Sequence, residues 1–311
     1  MKTVHSSVAG PFRHENLEIF ILRGPEIITH RRFIPLHEAM QAQTVTVHET
    51  GSVGQLEVEN HGEEDLYIQA GDVVKGGRQD RTLGFDLVVR SGGGRIPIPS
   101  FCVEAQRWHR RRNESDKVFS ASDTTLASKA LRLSAKLSRD QGEVWDSVAH
   151  FQKTMSDNLA TKMQAAESPS SYQLSMEQDA LKDRKRDYAS ALEPVLSDFP
   201  DAVGFAFAIH GKLNSADAYG SHDLFRRLWT RALDAAITEA IMESRSASAQ
   251  KALTSEDVHR WLMENADGNP SVTDTSPDVR MRTVRGAGRV TFDTVYRGEE
   301  QILHRNVISL G

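Results

Sequence analysis

Val203-Gly204-Phe205-Ala206-Phe207-Ala208-Ile209 is a run of seven residues without a polar side chain. Pro200 precedes it and His210-Gly211-Lys212 ends it, so the run is strand-sized, and a strand with no polar face needs cover on both sides. A central strand of this kind, arriving after a helical stretch, implies that the helices are an insertion or lobe packed on a continuous sheet. The rest of the chain has to be read around that requirement.

Upstream the hydrophobic period is two. Val45 and Val47 alternate with polar neighbours, as do Leu56 and Val58, and Leu66-Tyr67-Ile68 follows a turn. Leu83, Phe85, Leu87 and Val89 give the clearest alternation and predict one strand. Ser91–Gly94 closes a turn, and Ile96, Ile98 and Val103 belong to the return strand, where Pro97 and Pro99 demand an edge or a bulge. A short helix is expected over Leu36–Gln41, with Pro35 suiting its first turn. From about Ser120 the period becomes 3.6. Leu126, Ala130, Leu133 and Leu137 mark one amphipathic helix, and Val144, Val148, Phe151 and Met155 a second, with Asp140 capping it towards Glu143. A charged helix over about Ser175–Leu192 follows. Ser221 caps a helix with the broad apolar stripe Phe225, Leu228, Trp229, Ala232, Leu233, Ala236, Ile237 and Ala240. Thr254 with Asp257 starts a shorter helix, Asp267–Pro277 reads as a polar loop, and strands end the chain near Arg280–Val284, Val290–Tyr296 and Ile302–Ile308.

The fold class is therefore α+β: a β-rich N-terminal sandwich or barrel-like sheet, an inserted helical lobe, and a C-terminal α+β region sharing the core. The corresponding regions are 1–112, 113–200 and 201–311, and the reading leaves open that the last forms one composite domain with the first.

Motif chemistry is mostly excluded. There is no G-x-x-x-x-G-K-[ST], Gly286-Ala287-Gly288 lacks a dinucleotide fingerprint's third glycine, and no H-E-x-x-H helix occurs. Cys102 is the single cysteine, so neither an intrachain disulfide nor a cysteine pair for zinc can form. On an apolar strand it reads first as a small buried hydrophobe and second as a nucleophile. Ser221-His222-Asp223 are consecutive and cannot make a relay. A net charge of −5 gives no global pull toward nucleic acid or anionic membrane. No stretch is apolar enough to span a bilayer and Met1–Gly10 carries no apolar leader. These observations predict a soluble protein of the reducing cytoplasm, with no metal and no assigned cofactor.

Two segments carry more than a structural reading needs. Gly71–Arg81 packs paired glycines among Asp72, Lys75, Gln79, Asp80 and Arg81, as a loop that lets a ligand approach the backbone would. As a structural element it is a hydrophilic hairpin tip with a glycine bulge. Glu104-Ala105-Gln106-Arg107-Trp108 follows the return strand; Arg107 can fork onto a phosphate, Trp108 can stack on a ring and Glu104 can accept from hydroxyls. The structural alternative is a buried Trp beside an Arg–Glu pair. The arginines of Arg107–Arg112 could also touch RNA, which net charge and the lack of interleaved aromatics disfavour. A hairpin joining the two strands would bring Gln79, Asp80 and Arg81 to Glu104, Arg107 and Trp108, with Asn214 and Asp217 as a further wall.

These residues also carry a likeness. Gly71-x-x-x-x-Gly76-Gly77-x-Gln79-Asp80-Arg81 and Ser100–Trp108 resemble the ARG and rhodanese-phosphatase-superfamily-associated protein domain family. The resemblance continues through Asp140–Trp145, Val203–Ile209, Gly211-Lys212, Asp217–Ser221, Leu224-Phe225 and Trp229, so it spans about Asp65 to Ile241. It departs at Asp80, where Asn is common in the family, and at Gln106, where Gly is. No reaction comes with the resemblance. Its name implies only association with ADP-ribosylglycohydrolases and rhodanese-phosphatases, hence a role near ADP-ribose, NAD-derived or phosphorylated nucleotide metabolism. The function expected is binding, or hydrolysis, of a small anionic nucleotide-like ligand. Lys75, Arg81 and Arg107 would meet phosphates, Trp108 would stack, and Glu104 with Asp72 would be the acid–base pair of a glycosidic or phosphate hydrolase. The alternative is a non-catalytic scaffold whose helical lobe docks a protein partner; homo-oligomerisation stays open.

Overall fold

The chain begins with a hairpin. β1 (Ser7–His14) and β2 (Leu17–Arg23) pair antiparallel, and Leu17–Leu22 of β2 is buried throughout. The computed structural model describes residues 4–105, 107–111, 114–122, 126–245, 252–264, 267–297 and 300–311. They form two compact units: Met1–Arg32 with Asp187–Gly311, and Phe33–Arg186. One unit boundary falls between Arg32 and Phe33 and the other within the helix Asp179–Leu192, whereas the sequence boundaries near 112 and 200 mark where the hydrophobic period changes.

Phe33–Arg186 opens with β3 (Phe33–Pro35) and the expected helix α1 (Leu36–Gln41), whose N-cap is Pro35. β4 (Val45–Ser52), β5 (Gln55–Asn60), β6 (Asp65–Ile68), β7 (Val73–Gly76), β8 (Arg81–Leu83), β9 (Leu87–Val89), β10 (Arg95–Cys102) and β11 (Phe119–Ala121) follow. Among the described residues one sheet runs β11-β7-β8-β10-β5-β4 and a smaller one β3-β6-β9. Both sheets and α1 feed one apolar cluster that includes Leu36, Val47, Val58, Leu66, Leu83, Val89 and Ile98, which gives the unit its barrel-like character.

The alternation Leu83–Val89 is not one strand. It breaks at Gly84-Phe85-Asp86 and sends β8 and β9 to different sheets. The side chain of Asp86 holds that corner by accepting from Ala70 N at 2.8 Å. A period of two survives a corner between buried strands, so it cannot locate the break. Over Arg95–Pro99 the registered partner of β10 is β5 and over Ser100–Cys102 it is β8, so both prolines lie where one edge carries no ladder.

α2 (Lys129–Leu133) runs into a π-helical turn, Ser134–Ser138. α3 (Gln141–Leu159) is capped by Asp140, which accepts from Glu143 N at 2.9 Å and satisfies one of the free N–H groups of its first turn. α4 (Tyr172–Met176) and α5 (Asp179–Leu192) replace the single charged helix expected there.

In the other unit β12 (Ala202–Ile209) is buried along its whole length. It lies between β2 and β13 (Lys212–Tyr219). α6 (His222–Met242) starts at the Ser221 cap and α7 (Ser255–Met263) at a Thr254–Asp257 capping box. Phe205 of β12 stacks with Phe225 and meets Trp229 edge-on at 5.6 Å, which places α6 on the phenylalanine face. Ala206 and Ala208 belong to a second cluster with Val258 and Leu262 of α7, so small residues take the other helix. The apolar run is thus covered on both faces. β14 (Pro270–Ser276), β15 (Val279–Arg285), β16 (Arg289–Tyr296) and β17 (Gln301–Ser309) complete a sheet of order β1-β2-β12-β13-β17-β16-β15-β14. β14 corrects the expected polar loop. Being an edge strand with mostly exposed residues, it needs no apolar alternation.

Candidate functional site

The glycine-rich turn builds itself first. β7 ends at Gly76 with φ +123°, and Gly77 follows at φ +57°. A Cβ at Gly77 would lie 2.4 Å from Phe119 Cζ, so both the left-handed backbone and the space require glycine. Asp80 closes the turn by accepting from Gly76 N at 3.0 Å. The chain then enters β8, where Arg81 pairs across to Cys102 of β10, and Val103 N donates to Asp80 O at 3.0 Å. This ladder, not a simple hairpin, carries Glu104 and Arg107 against Gln79, Asp80 and Arg81.

The meeting point is a buried ion-pair network. Arg107 Nη2 lies 2.7 Å from Glu104 Oε2 and 3.6 Å from Asp80 Oδ1. Arg111 reaches Asp80 Oδ1 through Nη2 and holds Glu114 through Nε at 2.9 Å. Ser171 Oγ donates to Asp80 Oδ2 at 3.1 Å, Ser168 Oγ to Glu104 Oε1, and Gln79 Nε2 to the Glu104 carbonyl at 2.7 Å. Asp80 and Glu104 are wholly buried. Isolated carboxylates there would cost several kcal/mol each, which is why every oxygen faces a donor or a guanidinium. Burial, and then the charge of Glu104, still push the Asp80 carboxyl above the ordinary range.

Arg81 sits deepest, with no exposed surface. Its Nη1 donates to Cys102 Sγ at 2.8 Å and to the backbone and side-chain oxygens of Gln79 at 3.3 Å. Burial pushes the Cys102 thiol up to about 11. At neutral pH it therefore keeps its proton, which it donates to Gln79 Oε1 at 2.9 Å, and is no nucleophile. Arg81 Nη2 faces Glu49 Oε2 at 3.7 Å, too far for a hydrogen bond. Among the described residues Nε and Nη2 of Arg81 have no hydrogen-bond partner. Trp108 is 45% exposed. Its ring has the Arg78 guanidinium 5.5 Å from its centre and that of Arg81 at 5.9 Å.

Other expected residues have separate work. Lys75 Nζ pairs with both oxygens of Glu177 at 2.7 and 2.8 Å. Burial resists ionisation of Glu177, but bonds from Gln173 and Lys75 prevail and hold it below the usual range. Asp72 Oδ2 accepts from Gln69 N at 2.9 Å. Asn214 and Asp217 belong to the other unit, on β13. Asn214 sits at the bulge there, and Asp217 accepts from Asn306 Nδ2 and contacts His304 Nε2, each at 2.9 Å. Of the arginine run, Arg107 and Arg111 are buried against carboxylates, leaving His109 and Arg110 facing solvent. Gln106 and Arg112 lie outside the described residues.

Sequence reasoning did not place Glu49, Arg111, Glu114, Ser168 or Ser171 in this cluster. Arg111 was visible only as part of the basic run. Among the described residues no three His, Cys, Asp or Glu side chains converge to hold a metal ion, and no helix is long and apolar enough to cross a membrane.

An α+β chain whose glycine turn and Arg–Trp segment interlock through buried ion pairs defines the class of protein. Residues 5–308 match the ARG and Rhodanese-Phosphatase-superfamily-associated Protein domain, and the chain belongs to that family. No curated protein and no solved structure matches it.

Proposed function

We propose that the motif cluster binds an anionic, ring-bearing ligand of nucleotide type, such as ADP-ribose or an NAD-derived metabolite. The observation that carries this reading is the unspent donor capacity of Arg81. A wholly buried guanidinium whose Nε and Nη2 lack hydrogen-bond partners among the described residues leaves polar groups desolvated at about 1–3 kcal/mol each. Phosphate oxygens are the acceptors that would best offset that cost. Trp108, exposed and flanked by guanidinium groups, supplies a face for a base or sugar. The family name, with its ADP-ribose-linked association, points the same way but only as association.

Binding is favoured over turnover. Both Glu104 oxygens and Oδ2 of Asp72 have structural partners, which leaves neither carboxylate poised as an acid or base.

Thermal-shift measurements with ADP-ribose, NAD, AMP and pyrophosphate test the reading. Ligand at about 100 times its Kd should stabilise the protein by about 2.7 kcal/mol. Trp108→Ala and Arg78→Ala should lose most of that shift while melting as the wild type does without ligand. A wild type that no ligand stabilises, or variants that respond equally, would leave a purely structural network.

A further inference from the structure

We infer that Glu49 is a resident anion occupying the position where the ligand's phosphate binds, and that it sets the site's preference for a phosphate or pyrophosphate group over a single carboxylate. This rests on the anion-binding reading above and names the subsite within it.

Glu49 lies near the end of β4, where the register with β5 shifts between Glu49 and Ser52. Its side chain is only 4% exposed. What surrounds its carboxylate is a set of anion donors. Oε1 accepts from Gly51 N at 2.9 Å and Oε2 from Arg78 N at 3.2 Å. Gly77 lies so close that a Cβ there would stand 2.8 Å from Oε2, so the glycine turn exposes its bare backbone to this group. Beneath lies Arg81, whose Nη2 is 3.7 Å away. Gly77 N is itself spent on Ser115 O at 3.0 Å, so Arg78 N from the turn and Gly51 N from β4, with a guanidinium behind them, make up the anion-binding concavity.

A carboxylate fits this set poorly. Its two oxygens are both used by backbone donors, and the buried Arg81 Nη2 remains beyond bonding distance. A terminal phosphate has three acceptor oxygens and close to two charges, so it can serve both backbone donors and Nη2 together. Glu49 sits at a strand irregularity, and the Arg78 guanidinium lies within 4.0 Å of the Cβ position of Gly51, beside the exposed Trp108 ring. Displacing the Glu49 carboxylate therefore clears a place for phosphate directly next to the ring-binding face. Until displaced, Glu49 competes with every anionic ligand, and singly charged ones lose.

The test is the affinity of the full chain for inorganic pyrophosphate, measured by calorimetry on wild type, Glu49→Gln and Glu49→Ala. Removing the competing charge should tighten pyrophosphate binding by at least about fivefold in both variants, and should let acetate compete where it does not in the wild type. Glu49→Gln keeps the side chain's shape, so loss of fold in the alanine variant alone does not remove the test. Equal or weaker binding by the variants overturns the proposal, and if the wild type still binds, the ligand site stands without it. Binding gained only in the variants supports Glu49 as the occupant while removing the wild-type reading. No binding by any of the three proteins ends both, and loss of fold in both variants would make Glu49 a structural anchor instead.

Discussion

Cys102 shows how a single buried side chain reports on the network around it. Its thiol is held at about 11 against 9.0 for the free group, chiefly by burial. A raised acid pKa favours the protonated form in the folded chain. The associated stability is therefore complete below the free value of 9.0 and is lost as pH rises from 9.0 to about 11. At pH 8 the native thiol should resist a thiol-specific disulfide reagent, and the same residue should react within seconds in denaturing urea. Rapid labelling of the folded chain would mean that the packing of Arg81, Gln79 and Cys102 opens readily. At this scale the sequence was readable in part. Gln79, Asp80, Arg81, Glu104 and Arg107 were grouped from their positions beside two strands, and the structure brings them together. Glu49 was hidden because its partners are backbone N–H groups, which no residue pattern advertises.

Among the elements, α6 was the most legible and is the best place to measure packing. Phe225, Leu228, Trp229, Leu233 and Ile237 are all nearly inaccessible. Trp229 meets Phe205 and Phe225 edge-on, and its Nε1 donates to Glu193 O at 2.9 Å. Trp229→Ala should cost about 3–5 kcal/mol, read from urea melts; a loss below about 1 kcal/mol would contradict the burial of the stripe. α6, α7 and β12 were readable because caps and continuous apolar runs are local signals. β8 and β9 were not, since the corner at Gly84–Asp86 depends on which sheet each half joins. β14 lacked any hydrophobic signature because one bonded neighbour and solvent satisfy it.

For the whole molecule, every residue of the anion site falls in one unit, Phe33–Arg186. That unit has its own apolar cluster and its own sheets. A chain of residues 33–186 should therefore fold alone, with a cooperative melt by circular dichroism, and should retain the ligand-induced shift of the full protein. A non-cooperative melt would show that the unit's core is insufficient by itself. The remaining unit is discontinuous, and this has a consequence for biosynthesis. β2 leaves the ribosome early, yet its neighbour β12 joins it only from Arg23↔Ala202 onward. At about 5–20 residues per second the amino-terminal hairpin waits roughly ten to forty seconds, with the apolar edge of Leu17–Leu22 uncovered, until that neighbour is translated. Slowed translation between codons 33 and 201 would lengthen the exposure.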